Sequence, residues 1–152
     1  MHQNGLEIRL IKTEEELKAV FHIREKVFIQ GQGVPRTIEM DGHDEYAEHV
    51  IVLCDGEPIG CARIRYPENK AKLERIAILE EHRGKHYGRK LVEFLISHCA
   101  RQKAQEIYMN SQYHVKDYYK KFGFREVGPP FIEANIKHIK MVFEESADAP
   151  GD

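Results

Sequence analysis

The sequence predicts a single α/β domain built around a mixed β-sheet. Segments with the period-two alternation of strands are separated by two long segments with the 3.6-residue periodicity of amphipathic helices. An Asp55-Gly56 pair between two strand-like segments is typical of a β-hairpin, and a later strand-like segment leads through a glycine-containing turn into the second long helix. At 152 residues, the chain has the usual size of one domain with its own core.

Composition excludes several classes of protein. Hydrophobic residues make up 41% of the chain and charged residues 32%, as in ordinary globular proteins, and the formal net charge of -2 gives no general nucleic-acid footprint. No apolar run reaches membrane-spanning length, and no signal-peptide pattern opens the chain. Three scattered cysteines, Cys54, Cys61 and Cys99, indicate reduced thiols. We therefore expect a cytoplasmic protein that acts on neither nucleic acid nor membrane.

A metal site is a possible interpretation of Asp41, Asp44 and His49, but their spacing matches no compact metal motif. We interpret the two aspartates as turn and capping residues, and we expect no metal.

The first strand and helix follow from simple patterns. Residues Leu6 to Lys12 alternate as a strand, and Thr13 followed by Glu16 predicts a helix start with a capping box. The helix is expected to run to about Gln30, with an apolar stripe made by Leu17, Val20, Phe21, Val27 and Phe28. Arg24 falls on this stripe, where a charge must be paired, face a ligand, or extend its head to solvent.

The remaining elements alternate between strands and helices. Residues 31–45 form a predicted loop rich in Gly, Pro and Asp. Strands are predicted at 49–53, 58–66, 72–79, 106–111, 124–128 and 137–143, and helices at about 87–102 and around the apolar face Val115, Tyr119 and Phe122. We expect one domain over residues 1–144 and a disordered acidic tail over 145–152.

A basic, glycine-containing turn between the fourth strand and the second helix predicts an anion site. The free N–H groups and the dipole of a helix N-terminus favour negative charge, and Gly84 and Gly88 allow close approach of the backbone. Countercharge comes from Arg83, Lys85, Arg89 and Lys90. The spacing fits neither a Walker loop nor a dinucleotide fingerprint. The alternative is a surface helix that merely begins with basic residues.

Two motifs carry a resemblance to a known family. The segment Arg83-Gly84-Lys85-His86-Tyr87-Gly88 resembles the coenzyme A pyrophosphate loop of the GNAT acetyltransferase superfamily, with His86 where a glycine is usual. Further along, Tyr119-Lys120-Lys121-Phe122-Gly123-Phe124 is similar to the Tyr-x-x-x-Gly-Phe of these enzymes. The segments 27–35 and 131–141 resemble the ElaA/YjcF-like branch of the superfamily.

The resemblance implies a strongly twisted, mostly antiparallel central sheet flanked by helices, and an acetyl-CoA-dependent N-acetyltransferase. It implies a cofactor-binding set made of Ile76, Ala77, Ile78, Arg83, Gly84, Lys85, His86, Tyr87, Gly88, Arg89, Lys90, Gln112 and Tyr118. Tyr119 is expected to hydrogen-bond or protonate the thiolate leaving group. His138 is the first candidate for the general base that deprotonates the acceptor amine, and His114 is the second. Glu133 acting through water is a further alternative.

The acceptor is the least determined part of the reaction. We expect a small-molecule or protein amine, and the charge on the apolar helix stripe suggests that it also carries a carboxylate or phosphate bound by Arg24 and Arg75. The alternative is that these arginines pair with Glu74, Glu39 or Asp41. A non-catalytic acyl-CoA-binding or sensing module is the competing function, and a homodimer formed through edge strands is a further possibility.

Overall fold

The computed structural model describes residues 2–3 and 5–145. Within them lie eight strands: β1 (His2–Gln3), β2 (Leu6–Leu10), β3 (Glu48–Cys54), β4 (Glu57–Arg65), β5 (Ala71–Ile78), β6 (Ile107–Gln112), β7 (Phe124–Glu133) and β8 (Ile136–Phe143). They form one sheet in the order β1-β2-β3-β4-β5-β6-β8-β7. Neighbours are antiparallel except β5 and β6, which are parallel. The predicted fold class is confirmed.

Helices cover both faces of this sheet. They are α1 (Glu14–Arg24), α2 (Arg36–Glu39), α3 (Tyr87–Arg101) and α4 (Lys116–Lys120). On one face, α3 buries Leu91, Val92 and Leu95 against the sheet, and on the other α1 buries Val20 and Ile23. The buried stripe of α1 lies slightly to one side of the predicted one, because Ile23 and Arg24 are buried whereas Leu17 and Phe21 are only partly covered.

The start of α1 is capped almost as predicted. The Thr13 hydroxyl accepts a hydrogen bond from the Glu16 N–H at 3.1 Å. The Glu16 carboxylate, however, accepts from the N–H of Lys12 at 2.7 Å instead of from that of Thr13. The difference has a physical cause, since Glu16 also pairs with Arg9 of β2 at 2.6 Å.

The predicted helix to Gln30 changes its hydrogen-bonding pattern after Arg24. Residues Glu25–Gln30 form a π-helix, and the N–H of Gly31 donates to the carbonyl of Lys26, five residues earlier. Such wide turns are rare and frequently occur at functional sites. No signal in the sequence distinguished this turn from ordinary α-helix.

Two further segments differ from expectation. The predicted loop 31–45 contains α2 and the start of a 3₁₀ turn at Asp44–Tyr46. Strand β7 continues through Pro129 and Pro130 to Glu133, which is possible because β7 is the edge strand and proline there deprives no neighbour of a donor. The predicted disordered tail falls largely on residues 146–152, which lie outside the described residues. No helix in the described part of the chain is long and apolar enough to span a membrane.

Candidate active site

A cleft opens where β5 and β6 separate. In these parallel strands, residues 71–73 of β5 pair with residues 107–109 of β6, and the pairing ends there. Beyond that point a cavity of about 560 Å³ lies between them, lined by residues 74–78 of β5 and 110–112 of β6. The same cavity is lined by Tyr119, His138 and His114. The structure therefore brings the three predicted catalytic residues to one cavity.

A bulge in β5 contributes to this separation. Opposite the single residue Ala62 of β4, β5 places two residues, Arg75 and Ile76. Arg75 has a φ of 55°, a left-handed conformation that is uncommon for residues other than glycine. A bulge bends its strand and increases the local twist. Beyond the bulge, β5 therefore diverges from β6.

Contacts of the Arg75 side chain fix the bulge against α2. Its Nε lies 2.5 Å from the Glu39 carboxylate, although the N–H is not aligned for a hydrogen bond. Its Nη2 donates to the backbone carbonyls of Ile38 at 3.3 Å and Glu39 at 3.1 Å. It also lies 3.3 Å from Asp41. Arg75 lines the cavity as predicted. Its guanidinium, however, already contacts three residues of the 31–45 segment.

Arg24 has a structural role instead of the predicted acceptor contact. Its side chain is only 1% exposed and pairs with Glu39 at 2.8 Å and Asp44 at 2.7 Å. It is absent from the cavity wall within the described residues. The structure does not support the expectation that Arg24 binds the acceptor, because the carboxylates of the 31–45 segment satisfy its guanidinium. The alternative of internal pairing is the one that the structure shows.

Further ion pairs extend this network to the sheet. Arg63, fully buried, pairs with Asp41 at 2.7 Å, Asp44 at 3.1 Å and Glu74 at 2.9 Å. Arg65 also pairs with Glu74, at 2.6 Å. Asp41 does form the predicted turn, since it accepts from the N–H of His43 at 3.1 Å, but its main partners are arginines. Sequence reasoning did not foresee that Asp44 would pair with them.

The network lowers the pKa values of Glu74, Asp41 and Asp44. Burial alone would raise the pKa of Glu74, but the hydrogen bond from Arg65 and the charges of Arg63 and Lys72 outweigh it and lower the pKa to about 2. The pKa values of Asp41 and Asp44 are lowered in the same way against the effect of burial. These three carboxyl groups are therefore ionised at neutral pH, and the network consists of carboxylates paired with arginine and lysine side chains.

His138 is held so that one ring nitrogen is fixed as a donor. Its Nδ1 lies 2.7 Å from the carbonyl oxygen of Ile136, and because a carbonyl only accepts, Nδ1 carries the proton. In the neutral ring, Nε2 then has the free lone pair. Nε2 lies 3.9 Å from the Glu133 carboxylate, and Phe131 stacks on the imidazole at 5.9 Å between ring centroids. This arrangement suits a proton acceptor.

Tyr119 and the cysteines differ in their access to the cavity. Burial raises the pKa of Tyr119, so its phenol stays protonated and able to donate. Burial also raises the thiol pKa values of Cys61 and Cys99 to about 12, and no cysteine lines the cavity in the described part of the chain. Their thiols are therefore unsuited to act as nucleophiles.

Three further predicted residues have different surroundings, and two of them, His114 and Gln112, line the cavity. His114 is exposed, in the 3₁₀ turn Tyr113–Val115. Gln112 at the end of β6 donates to the Gln32 side chain at 2.8 Å, which links the segment after the π-helix to β6. The Tyr118 hydroxyl packs beside Gly88, where an added Cβ would lie 3.4 Å from it.

The basic turn lies at the end of β5, beside the cleft. Exposed Arg83, Lys85 and Arg89 surround the start of α3. Arg83 also lines the cavity and its Nε donates to the carbonyl of Ile78 at 2.9 Å. The Tyr87 hydroxyl instead lies 3.7 Å from Cys54 Sγ, so its side chain faces the core. The structure thus places a positively charged helix N-terminus at one mouth of the cleft.

His86 occupies a backbone conformation that favours glycine. It precedes α3 with a φ of 66° and a ψ of 13°, in the left-handed region. This explains why glycine is usual at this position in the coenzyme A pyrophosphate loop that the segment resembles. The histidine is accommodated at a conformational cost on the order of 1 kcal/mol, without any break in the helix that follows.

Several residues at the cavity were not predicted from sequence. They are Val27, Phe28, Gln32, Val34, Ile38, His43, Lys72 and Asn110. Most belong to the π-helix and to the segment 31–45, whose glycines and prolines indicated only a loop. The alternation of β6 was the available signal for Asn110. Among the described residues, no group of three or more His, Cys, Asp or Glu side chains is arranged to hold a metal ion.

Comparison with known proteins identifies the class. Residues 11–145 match the family described as "Acetyltransferase (GNAT) domain". The chain belongs to the GNAT family and is an N-acetyltransferase by that membership.

Particular relatives place it within the family. The uncharacterized N-acetyltransferase YjcF of Bacillus subtilis is 34% identical over 134 residues, which cover 88% of this chain and 96% of YjcF. The crystal structure of an acyl-CoA N-acyltransferase from Pseudomonas aeruginosa has a TM-score of 0.84 at 27% identity, covering 91% of this chain and 99% of that one. Escherichia coli ElaA has a TM-score of 0.82 at 26% identity, with the same coverage. The resemblance to the ElaA/YjcF-like branch is confirmed.

The first prediction concerns acid stability. The pKa of Glu74 is lowered from 4.5 to about 2 on folding, so its contribution is fully present above pH 4.5 and is lost as pH falls towards 2. It amounts to about 3 kcal/mol. In urea unfolding measured from pH 7 to pH 2, Glu74→Gln should be destabilised at pH 7 and should lose less stability than the wild type below pH 4.5. Glu57→Gln, at the exposed end of β4, is the control, and an unchanged acid slope in Glu74→Gln would contradict the assignment.

The second prediction concerns His86. Because glycine adopts φ of 66° without steric cost, His86→Gly should unfold with a free energy equal to the wild type or about 1 kcal/mol higher. His86→Val should lose about 2 kcal/mol, since a β-branched residue is disfavoured there. Urea denaturation compares the three proteins. Equal stability of the valine variant and the wild type would mean that the backbone at this position is not left-handed.

Proposed function

We propose that this protein transfers the acetyl group of acetyl-CoA to a primary amine by direct attack of the amine on the thioester. The observation that carries the proposal is a single cavity that His138 and Tyr119 both line and that ends beside a basic helix N-terminus. One end suits the phosphates of the donor, and the middle suits the chemistry. A solved GNAT acetyltransferase from Elizabethkingia anophelis, which shares the fold at a TM-score of 0.73 and 14% identity, holds acetyl-CoA.

The donor pyrophosphate is proposed to bind at the start of α3. Backbone N–H groups of the first helical turn are oriented towards an anion there, and the helix dipole adds to the attraction. The side chains of Arg83, Lys85, Arg89 and Lys90 supply the countercharge. Because Arg83 already donates to Ile78, it connects this anion site to the end of β5.

The thioester is proposed to lie along the unpaired part of β5. Past Leu73 no described residue of β5 pairs with β6. Within Ile76–Ile78, the backbone groups that point away from β4 are therefore available on that edge, whereas those of Ala77 face Cys61 of β4. An N–H donor from this edge stabilises the oxyanion that forms when the amine attacks the carbonyl carbon.

Proton transfer completes the reaction. A primary amine with a pKa of about 10.4 is mostly protonated near neutrality, so His138 is proposed to take a proton through Nε2. The C–N bond then forms and the C–S bond breaks, which leaves the coenzyme A thiolate. Since the pKa of Tyr119 is raised, its hydroxyl is better suited to donate a hydrogen bond to the thiolate than to give up its proton. The nitrogen loses a second proton when the amide forms. Of the two protons, one neutralises the thiolate and the other is released to solvent.

The acceptor is proposed to be a small amine that also bears an anionic group. The pairing of Arg24 removes the first cation on which this expectation depended. Arg75 lines the cavity, but its contacts with Glu39 and Asp41 compensate its charge. A different pair of cations therefore has to be considered.

The third prediction tests donor binding. Coenzyme A at about 100 times its dissociation constant should stabilise the wild type by about 2.7 kcal/mol, which corresponds to a rise in melting temperature of about 5–10 °C. The double variant Arg83→Ala, Arg89→Ala should lose most of this shift, as measured by differential scanning fluorimetry. Lys18→Ala with Arg101→Ala removes the same charge from exposed helix positions and should retain it. An equal loss in both double variants would point to net charge instead of a binding site.

The fourth prediction assigns the general base. His138→Gln should lower kcat by about 10²–10⁴ near neutral pH, with the loss shrinking at high pH where more of the amine is already neutral. Its affinity for acetyl-CoA should be unchanged. Free-thiol release over pH 6–10 measures kcat, and His114→Gln is the matched comparison. If His114→Gln shows the pH-dependent loss while His138→Gln does not, the base is His114.

A further inference from the structure

We propose that Arg65 and Lys72 bind the anionic group of the acceptor, at the end of the cavity opposite His138. This inference rests on the proposed N-acetyl transfer. It replaces the pair Arg24 and Arg75 with two cations whose contacts leave donors available. It also restricts the acceptor to molecules in which the amine and the anion are well separated.

Strand register places the two cations and the base on one face of the sheet. Arg65 lies opposite Lys72 across β4 and β5, and Lys72 lies beside Tyr108 of β6. Gln112, four residues after Tyr108 and therefore on the same face, lies opposite His138 of β8. The side chains of Arg65, Lys72 and His138 all line the cavity. An acceptor lying along this face meets all three.

Counting charges shows an excess of positive charge in the ion-pair network beside the cavity. Five cations take part in the connected network, namely Arg24, Arg63, Arg65, Lys72 and Arg75, against four carboxylates, namely Glu39, Asp41, Asp44 and Glu74. Burial lowers the pKa of the adjacent His49, so it adds no full charge. Beside the network, Glu106 is shared by two more cations, Lys70 and Lys140. Glu133, a further carboxylate that lines the cavity, lies beside His138 and not beside Arg65 and Lys72.

The excess charge is accessible at Arg65 and Lys72. Both side chains are 18% exposed, whereas Arg63, two residues before Arg65 on β4, is fully buried. Lys72 has one ion-pair contact in the described part of the chain, at 3.3 Å to Glu74. Arg65 uses Nε and Nη2 on the same carboxylate, which leaves Nη1 free among the described hydrogen bonds. Two spare donors on a planar and a flexible cation suit a carboxylate or a phosphate.

The distance along the sheet determines how long the acceptor must be. Four residues of β6 separate the level of Lys72 from that of His138, which is about 13 Å. The long side chains of Arg65 and Lys72 shorten this span by several ångströms. An α-amino acid, whose amine and carboxylate share one carbon atom, does not reach both ends. A chain of several carbon atoms between amine and anion does.

The experiment compares two series of acceptors with acetyl-CoA. One series is the ω-amino carboxylates from glycine to 8-aminooctanoate, and the other is the n-alkylamines of the same chain lengths. Free-thiol release gives kcat and KM for each. The wild type should prefer the longer ω-amino carboxylates over the matching alkylamines by about tenfold or more, as expected for a charge-assisted hydrogen bond. Glycine should show no such preference.

Variants separate this site from the rest of the enzyme. Lys72→Met should raise KM for the long ω-amino carboxylates about tenfold while leaving the alkylamines and the KM for acetyl-CoA unchanged. Lys72→Arg should retain the preference. Lys70→Met, which removes a neighbouring cation that does not line the cavity, should behave as the wild type.

Three outcomes would count against the inference in different ways. Equal rates for both series in the wild type, or an equal loss for both in Lys72→Met, would overturn it and leave N-acetyl transfer intact. If no amine of either series produces thiol release, although coenzyme A still stabilises the protein, the proposed function is overturned together with the inference.

Discussion

The cleft depends on the ion pairs that hold β5 to the segment between α1 and β3. Arg75 adopts a left-handed backbone, and its side chain and that of Arg24 both reach Glu39. Removing these charges from water is costly, and a buried pair is a weak source of net stability. What the pairs do provide is geometry, since they fix the extra residue of β5 and with it the point where β5 and β6 part. The cavity, the unpaired edge of β5 and the position of α2 all follow from that point.

The two sides of the sheet thereby acquire different chemical characters. The α3 side carries the basic turn and the phenol of Tyr119, whose raised pKa keeps it a hydrogen-bond donor. The opposite side carries His138, whose protonated Nδ1 is fixed by the carbonyl of Ile136, and the charged network. A thioester lying in the gap between β5 and β6 is accessible from both sides. Donor and acceptor can therefore be held by separate sets of residues.

Local patterns in the sequence predict most of the fold. Alternation and helical periodicity located the strands and the two long helices, and the glycine turn located the start of α3. Three features escaped prediction for physical reasons. The bulge at Arg75 has no glycine to indicate it, and the π-turn after Arg24 shares its residue preferences with α-helix. The partners of Arg24 lie 15 and 20 residues away in a segment that reads as a loop. At the site, Tyr119 and His138 were found through family resemblance, whereas Lys72 and Gln32 depend on tertiary contacts.

The hydrogen bond between Gln32 and Gln112 bears on how this scaffold can diversify. It joins two side chains across the mouth of the cleft at 2.8 Å, and a bond between neutral amides contributes only about 1 kcal/mol. The width of the mouth is thus set there by a pair of replaceable side chains and not by the backbone. Exchange of Gln32 for a smaller or larger residue alters which amines enter without disturbing the sheet. A change in the acceptors that enter therefore needs a substitution at this pair only, and no change in the strands.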